Sequence, residues 1–197
     1  MRASKTNIKD AVCDALCILA RDRPKDKVTI ASLIRTAGIC RSSFYYYFES
    51  VDDVFRQMVR EFCTEYQKAG FAMLNQKAHG RNEGVLTAEQ QLCDTVLEHW
   101  ERVMFFLQEP NYFQFRDMFY QQFMENCRAM RVVTIDAKGD RRELQGMTAY
   151  EYSIYICCAQ MLAVLELWAK RGFKESAEDF VSIYTRTFST ALAFEAQ

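Results

Sequence analysis

The sequence predicts an all-α protein: an N-terminal three-helix head with a helix-turn-helix layout, followed by a C-terminal helical bundle. Three observations carry this. Only 7 Gly and 2 Pro occur in 197 residues, so long stretches run without a helix breaker. Apolar residues recur at three- and four-residue spacing in one segment after another. Between those segments stand helix start and stop signals, among them Thr29, Gly38, Ser50, Thr87, Thr148, Gly172 and Ser176. No segment makes a convincing strand.

The first helix is predicted from about Thr6 to Ala20, with Ile8, Val12, Ala15, Leu16 and Leu19 on its inner face. A charged connection containing Pro24 follows. Thr29 caps a helix from Ile30 to about Ala37, and Gly38 supplies the left-handed conformation that ends it. The third helix covers about Arg41 to Tyr47. Ser50-Val-Asp-Asp53 resembles a capping box and opens a helix to about Leu74. His79 to Leu86, with Gly80 and Gly84, reads as a loop, and Thr87-Ala-Glu-Gln90 as the cap of a helix reaching about Leu107. Helical sequence then runs from Tyr112 to about Val132, and Asp136 to Gly146 reads as an exposed loop. Thr148 opens a long apolar helix that Gly172 stops. Ser176 caps the last helix, whose inner face takes Phe180, Ile183, Tyr184, Thr187, Phe188, Ala191 and Leu192.

Half of the residues are hydrophobic, enough for a substantial core, and the formal net charge is −1. The charge is unevenly spread. Residues 1–60 hold 11 Lys/Arg against 7 Asp/Glu, and residues 61–197 hold 14 against 19. A basic N-terminal segment on an acidic body suits an N-terminal nucleic-acid surface. The eight cysteines include no CxxC pair, and several fall on apolar helical faces, so free thiols in a reducing cytoplasm are expected. Cys13 and Cys17, four apart, read as core thiols, with a metal or oxidant site as the alternative. Ile154 to Ala169 is too short and too polar, with Gln160 and Glu166, for a membrane span.

The most informative stretch is Thr29 to Phe55. Phe44 and Phe48 share one face of the third helix, which leaves Arg41, Ser42, Ser43, Tyr45, Tyr46 and Tyr47 to its other faces. Three consecutive tyrosines cannot all point inward, and a helix of this size fits the major groove of B-DNA. Thr29-Ile-Ala, Ala37-Gly-Ile, Arg41-Ser-Ser-Phe-Tyr-Tyr-Tyr-Phe48 and Glu49-Ser-Val-Asp-Asp-Val-Phe55 together resemble the TetR family of bacterial transcription regulators. The resemblance covers about the first 60 residues. It implies that Thr29, Ser43, Tyr45 and Tyr47 face phosphates, and that Arg41, Ser42 and Tyr46 lie nearest the base edges. Three positions depart from the pattern: Cys40 stands where Ser or Thr is usual, Val51 where Lys is usual, and Tyr47 where His is common. Cys40 leaves the recognition helix without its usual cap, and Val51 removes a phosphate contact. The Phe44–Phe48 run, with Trp168 to Ser176, is similar to a branch that includes dihydroxyacetone-kinase operon regulators.

The implied division is a DNA-binding domain at 1–50 and a ligand-binding and dimerisation domain at 51–197, with 51–74 as the connecting helix. The resemblance implies a small-molecule pocket among the ring-rich helices, with Trp100, Phe105, Tyr112, Phe115, Met118, Phe119, Gln122, Tyr150 and Tyr155 as candidates. Packing of these rings on one another as plain core remains the alternative. Ala159 and Ala163 allow close helix approach and, with Leu162, Trp168, Tyr184 and Phe188, suggest a homodimer interface of the last two helices. No metal-binding, phosphate-loop or nucleophile motif points to an enzyme, and neither a cofactor nor a metal is expected. The expectation is a cytoplasmic, ligand-responsive repressor that binds an inverted-repeat DNA operator as a homodimer, has no membrane partner, and answers to an unknown effector. The alternative is a helical interaction or coactivator module with a weakened head.

Overall fold

The computed structural model describes residues 8–21, 24–78, 82–135, 140–144, 146, 148–176, 179–180 and 191–196. Among them are eight α-helices: α1 (Ile8–Ala20), α2 (Ile30–Ala37), α3 (Arg41–Tyr47), α4 (Val51–Ala78), α5 (Asn82–Glu98), α6 (Trp100–Phe106), α7 (Asn111–Arg128) and α8 (Thr148–Lys170). Lys25–Lys27 forms a 3-10 turn. Three short strands complete the set: β1 (Met130–Ile135), β2 (Arg141–Glu143) and β3 (Ala191–Ala196).

The chain packs as two compact units. The first takes in the residues up to Glu61 together with Glu101–Phe115; the second takes in Phe62–Trp100 and the residues from Arg116 onward.

In the first unit, α1 buries Val12 and Leu16 completely, with Cys13 and Cys17 beside them as core thiols. Burial pushes both thiols up to about 12, so they stay protonated and unreactive. Ion pairs join α1 to α6: Arg102 meets Asp10 and Asp14, each at 3.1 Å, and Arg21 meets Glu101 at 2.7 Å. The ring of Phe55 on α4 meets Phe105 and Phe106 edge-on at 5.7 Å, and Phe106 stacks on Phe115 at 5.2 Å. Lys25 ties these elements together. Its ammonium bonds Asp52 at 2.9 Å and Gln114 at 2.5 Å, and lies 4.0 Å from the centre of the Phe55 ring. Partial burial works against the Asp52 charge. Hydrogen bonds from Lys25 and Gln114 and the nearby charges of Lys25 and Arg56 outweigh it and hold that carboxyl below its usual range.

In the second unit, Phe62 stacks on Tyr66 at 5.5 Å, and the Tyr66 hydroxyl donates to the Met161 carbonyl of α8 at 3.1 Å. Gln67, fully buried on α4, donates to the Phe119 carbonyl at 3.0 Å and accepts from Asn126 at 2.9 Å. Both amide groups of that buried side chain are therefore satisfied by α7. Helix α7 contributes Phe119, Phe123 and Cys127 at four-residue spacing, and α8 contributes Ile154, Cys158, Met161, Leu165 and Trp168. Gly172, at φ 72°, ends α8. Its N–H bonds the Ala169 carbonyl and the Phe173 N–H bonds that of Trp168, with the Phe173 ring packed edge-on against Trp168 at 5.3 Å. That is a Schellman ending with its hydrophobic contact. By length and mean hydropathy of 1.4, α8 could cross a membrane. Its Ile154, Cys158, Leu165 face is instead buried in the second unit's core.

Five expectations need correction. The helix expected to reach Val132 stops at Arg128, and Val132-Val-Thr-Ile135 forms the end of β1, because β-branched residues favour an extended pleat. The expected loop Asp136 to Gly146 contains β2, which pairs antiparallel with β1 (Val133 opposite Glu143). Ala191 and Leu192, expected on a helix, lie in β3, which pairs antiparallel along β1 from Met130↔Ala196 to Ile135↔Ala191. The sheet order is β2-β1-β3. The helix expected from Thr87 to Leu107 is two helices, α5 and α6, which meet at a turn on His99. The expected loop His79 to Leu86 is helical from Asn82, where α5 starts, so Gly84 and Thr87 lie inside the helix and Thr87 does not cap it. A glycine costs a helix roughly 1 kcal/mol and does not forbid it. Ser176 does cap a helical turn, accepting the Asp179 N–H at 3.1 Å. Ile183, Tyr184, Thr187, Phe188, His79 and Gly80 lie outside the described residues.

Candidate nucleic-acid interface

The exposed face of α3 is assembled by its two neighbours. Thr29 and Ser32 form a reciprocal capping box at the start of α2: Ser32 N–H donates to the Thr29 hydroxyl, and Thr29 N–H to the Ser32 hydroxyl, both at 3.1 Å. Gly38, at φ 65°, reverses the chain in the left-handed conformation that glycine adopts without cost. Leu33 from α2, Phe44 from α3 and Phe48 just after it are buried, while Ile30, Ile34 and Ile39 are half-buried around them. At the far end, Ser50 accepts the Asp53 N–H and Asp53 accepts the Glu49 N–H, each at 3.0 Å, which starts α4.

With Phe44 and Phe48 turned in, α3 presents Arg41, Ser42, Tyr45 and Tyr46 to solvent, and Ser43 and Tyr47 at the margin. Tyr46 is 80% exposed, the most of any large apolar side chain described, and its ring meets Tyr47 edge-on at 4.8 Å. With most of its surface in water, that ring adds little burial to hold the helix. The Arg41 guanidinium lies 5.5 Å from the Tyr45 ring and donates to its hydroxyl at 3.3 Å, which pre-orients both groups. Lys9 of α1 lies 5.9 Å from the Tyr47 ring and adds positive charge to that side. Thr29 is exposed at the start of α2.

Cys40 occupies the cap position of α3 and makes no side-chain cap bond. Its sulfur instead sits 3.1 Å from the Ser42 hydroxyl and 3.0 Å from that of Ser43. Those bonds to sulfur hold the thiol down at about 7. It is the one exposed cysteine of the eight.

The residues expected to line an effector pocket divide between the two units. Phe105 and Phe115 belong to the aromatic core of the first unit, and Tyr112 is half-buried there. Phe119 is fully buried in the second unit, where Met118, Gln122 and Tyr150 are half-buried and Trp100 and Tyr155 exposed. Gln122 donates to Thr64 at 2.7 Å, and Tyr155 contacts the Tyr120 ring at 4.9 Å. Of the expected dimer residues, Leu162 and Trp168 are buried within the second unit, Ala159 is half-buried and Ala163 is exposed. The exposed side of α8 carries Tyr152, Ile156 and Leu167 as well, which the sequence reading did not single out. Ile156 precedes Ala159 by three residues, Leu167 follows Ala163 by four and Tyr152 precedes Ile156 by four, and that helical spacing marks this face.

A helix-turn-helix with its aromatic side turned outward, on an otherwise helical chain, defines the class of fold. The solved structures agree. The chain matches a protein assigned to the TetR family of transcriptional regulators from Syntrophomonas wolfei str. Goettingen, with a TM-score of 0.57 and 9% identity, over 91% of this chain and 92% of that one. It also matches a protein assigned to that family from Shewanella sp. PV-4, with a TM-score of 0.52 and 12% identity, over 92% of this chain and 96% of that one. At these identities the likeness is one of fold. No family model and no curated protein matches the chain.

Proposed function

We propose that this chain is a DNA-binding transcription regulator of the TetR type, acting in the cytoplasm as a homodimeric, ligand-responsive repressor of an inverted-repeat operator. The observation that carries the reading is the outward face of α3, where Arg41, Tyr45 and Tyr46 stand exposed above a fully buried Phe44. Residues 1–50 would read DNA and residues 51–197 would hold the effector and the partner subunit. The apolar exposed face of α8 supports a second copy as its cover. Two reading heads have to span half-sites about 34–36 Å apart, or a multiple of that. The effector acts only if it binds one arrangement of the heads better than another.

The test is fluorescence anisotropy of the purified protein on the DNA upstream of its own gene, across a salt series. A working head gives saturable binding that survives excess random DNA, with log K falling steeply as log salt rises. Arg41→Ala is expected to change the preference between operators, whereas Tyr45→Phe weakens binding on every sequence alike. Equal loss on all sequences for Arg41→Ala would refute its base-reading role. The uncapped start of α3 and Val51 in place of lysine support the second reading, an interaction module. Weak binding, equal on every fragment, would favour it.

Cys40 offers a direct footprint. Limited iodoacetamide treatment at neutral pH, read by mass spectrometry, is expected to label Cys40 and spare the seven buried thiols. Operator DNA should protect it. Unchanged labelling in saturating operator would place the interface elsewhere.

A further inference from the structure

Within the first unit, α1 brings a cation to the margin of the outward face of α3. Lys9 is half-buried, and its ammonium lies 5.9 Å from the centre of the Tyr47 ring. A lysine so placed covers its stem and keeps its charged end towards water. Tyr47 is itself held from two sides. Its ring meets that of Tyr46 edge-on at 4.8 Å, and its carbonyl accepts from the Gln57 amide of α4 at 3.1 Å. The ring beside the ammonium therefore has a fixed place. The two carboxylates of α1, Asp10 and Asp14, are drawn to a different element, since both pair with Arg102 of α6 at 3.1 Å. A cation–π contact at an exposed site is worth only about 0.5–1 kcal/mol, and a phosphate oxyanion outcompetes it for an ammonium.

We propose that α1 joins the DNA interface through Lys9, whose ammonium takes one backbone phosphate beside the groove that α3 enters. That contact presupposes the DNA-reading role of α3 proposed above. An α-helix with its side chains is about 10–12 Å across, and the major groove of B-DNA is about 12 Å wide. The helix fills the groove, so a cation standing beside the helix faces the phosphates of the groove wall rather than base edges. Phosphate contacts set register and strength without reading sequence. Lys9 thereby adds affinity on every sequence, where Arg41 adds preference. Val51 at the start of α4 offers no such charge, and Lys9 supplies one from another element.

Anisotropy salt series on the full-length protein, with the DNA upstream of its own gene and with random DNA, test this for wild type, Lys9→Gln, Lys9→Arg and Lys170→Gln. Lys9→Gln is expected to make the slope of log K against log salt shallower by about 0.9 for each bound chain. Near 50 mM salt the loss per chain is about tenfold, and it fades towards 1 M. The ratio of specific to random binding stays as in the wild type. Lys9→Arg keeps the charge and should keep the slope, which a packing role for the lysine stem would not require. Lys170→Gln removes one charge from the exposed end of α8, where the lysine side chain is 75% exposed, and should leave the slope unchanged. An unchanged slope for Lys9→Gln in a protein whose wild type binds the operator would overturn the Lys9 contact alone. An equal change in slope for Lys170→Gln would overturn it too, because net charge would then be the cause. A wild type without saturable binding would overturn both this contact and the reading of α3.

Discussion

Replacing Phe44 with alanine is expected to cost about 3–5 kcal/mol of stability and with it the proposed operator binding, because α3 is held in place by this ring more than by any local bond. The helix has only seven residues, too few to stand alone in water. Its cap residue contributes no side-chain bond. What fixes it is the ring of Phe44, completely buried, with Phe48 at 5.8 Å and the Tyr45 ring edge-on at 5.5 Å. Truncation loses the transfer energy of the ring and leaves a cavity that one turn of chain on either side cannot fill. Urea denaturation followed by circular dichroism measures the loss. Tyr46→Ala, one turn face away, is the contrast. With 80% of its surface in water, that side chain should change stability by no more than about 0.5 kcal/mol while still impairing DNA binding. Comparable destabilisation by both substitutions would mean that the outward face of α3 is structural.

Trp168→Ala is expected to be as severe in the second unit, about 3–5 kcal/mol. The indole is 2% exposed, stacks on Phe180 at 4.2 Å, and receives the Phe173 ring on its edge. It therefore links the end of α8 to the turn after Gly172 and to the helical turn that Ser176 caps. Its N–H, however, is buried and donates to nothing among the described residues. An unpaired buried donor costs about 1–3 kcal/mol, so Trp168→Phe, which keeps a ring and deletes the donor, should be far milder than alanine. Equal losses for Phe and Ala would show that the N–H has a partner after all. Thermal unfolding of the two variants separates the cases.

The head was readable because its signals are local. Thr29, Gly38 and Ser50 each act on the backbone within three or four residues, and the structure places α2 and α3 at the boundaries those residues set. The outward tyrosines followed from helical geometry alone. Long-range partners were not readable. Nothing near Ala191 says that it will pair with Ile135, and α-helix and β-strand compete closely in a short apolar run until another strand is present. The same holds for the first unit's claim on α6, which depends on Arg102 reaching Asp10 and Asp14, some ninety residues earlier in the chain. Aromatic density in α6 and α7 marked candidate pocket residues, and among them Phe105, Phe106 and Phe115 pack on one another, as rings at helical spacing commonly do. The unpaired amide oxygen of Asn111 gave no sequence signal, because it is a property of packing.

Gln67 sets a constraint on how the second unit can move. Its amide reads two points on α7, the Phe119 carbonyl and the Asn126 side chain, which lie two helical turns apart. Sliding α4 past α7 by one turn, about 5.4 Å, would strand both ends of a side chain that has no access to water. Intermediate positions are worse, because each hydrogen bond fails before a replacement is in reach. The two helices therefore share a fixed register, and any displacement of the lower half of α4 carries α7 with it as a single piece.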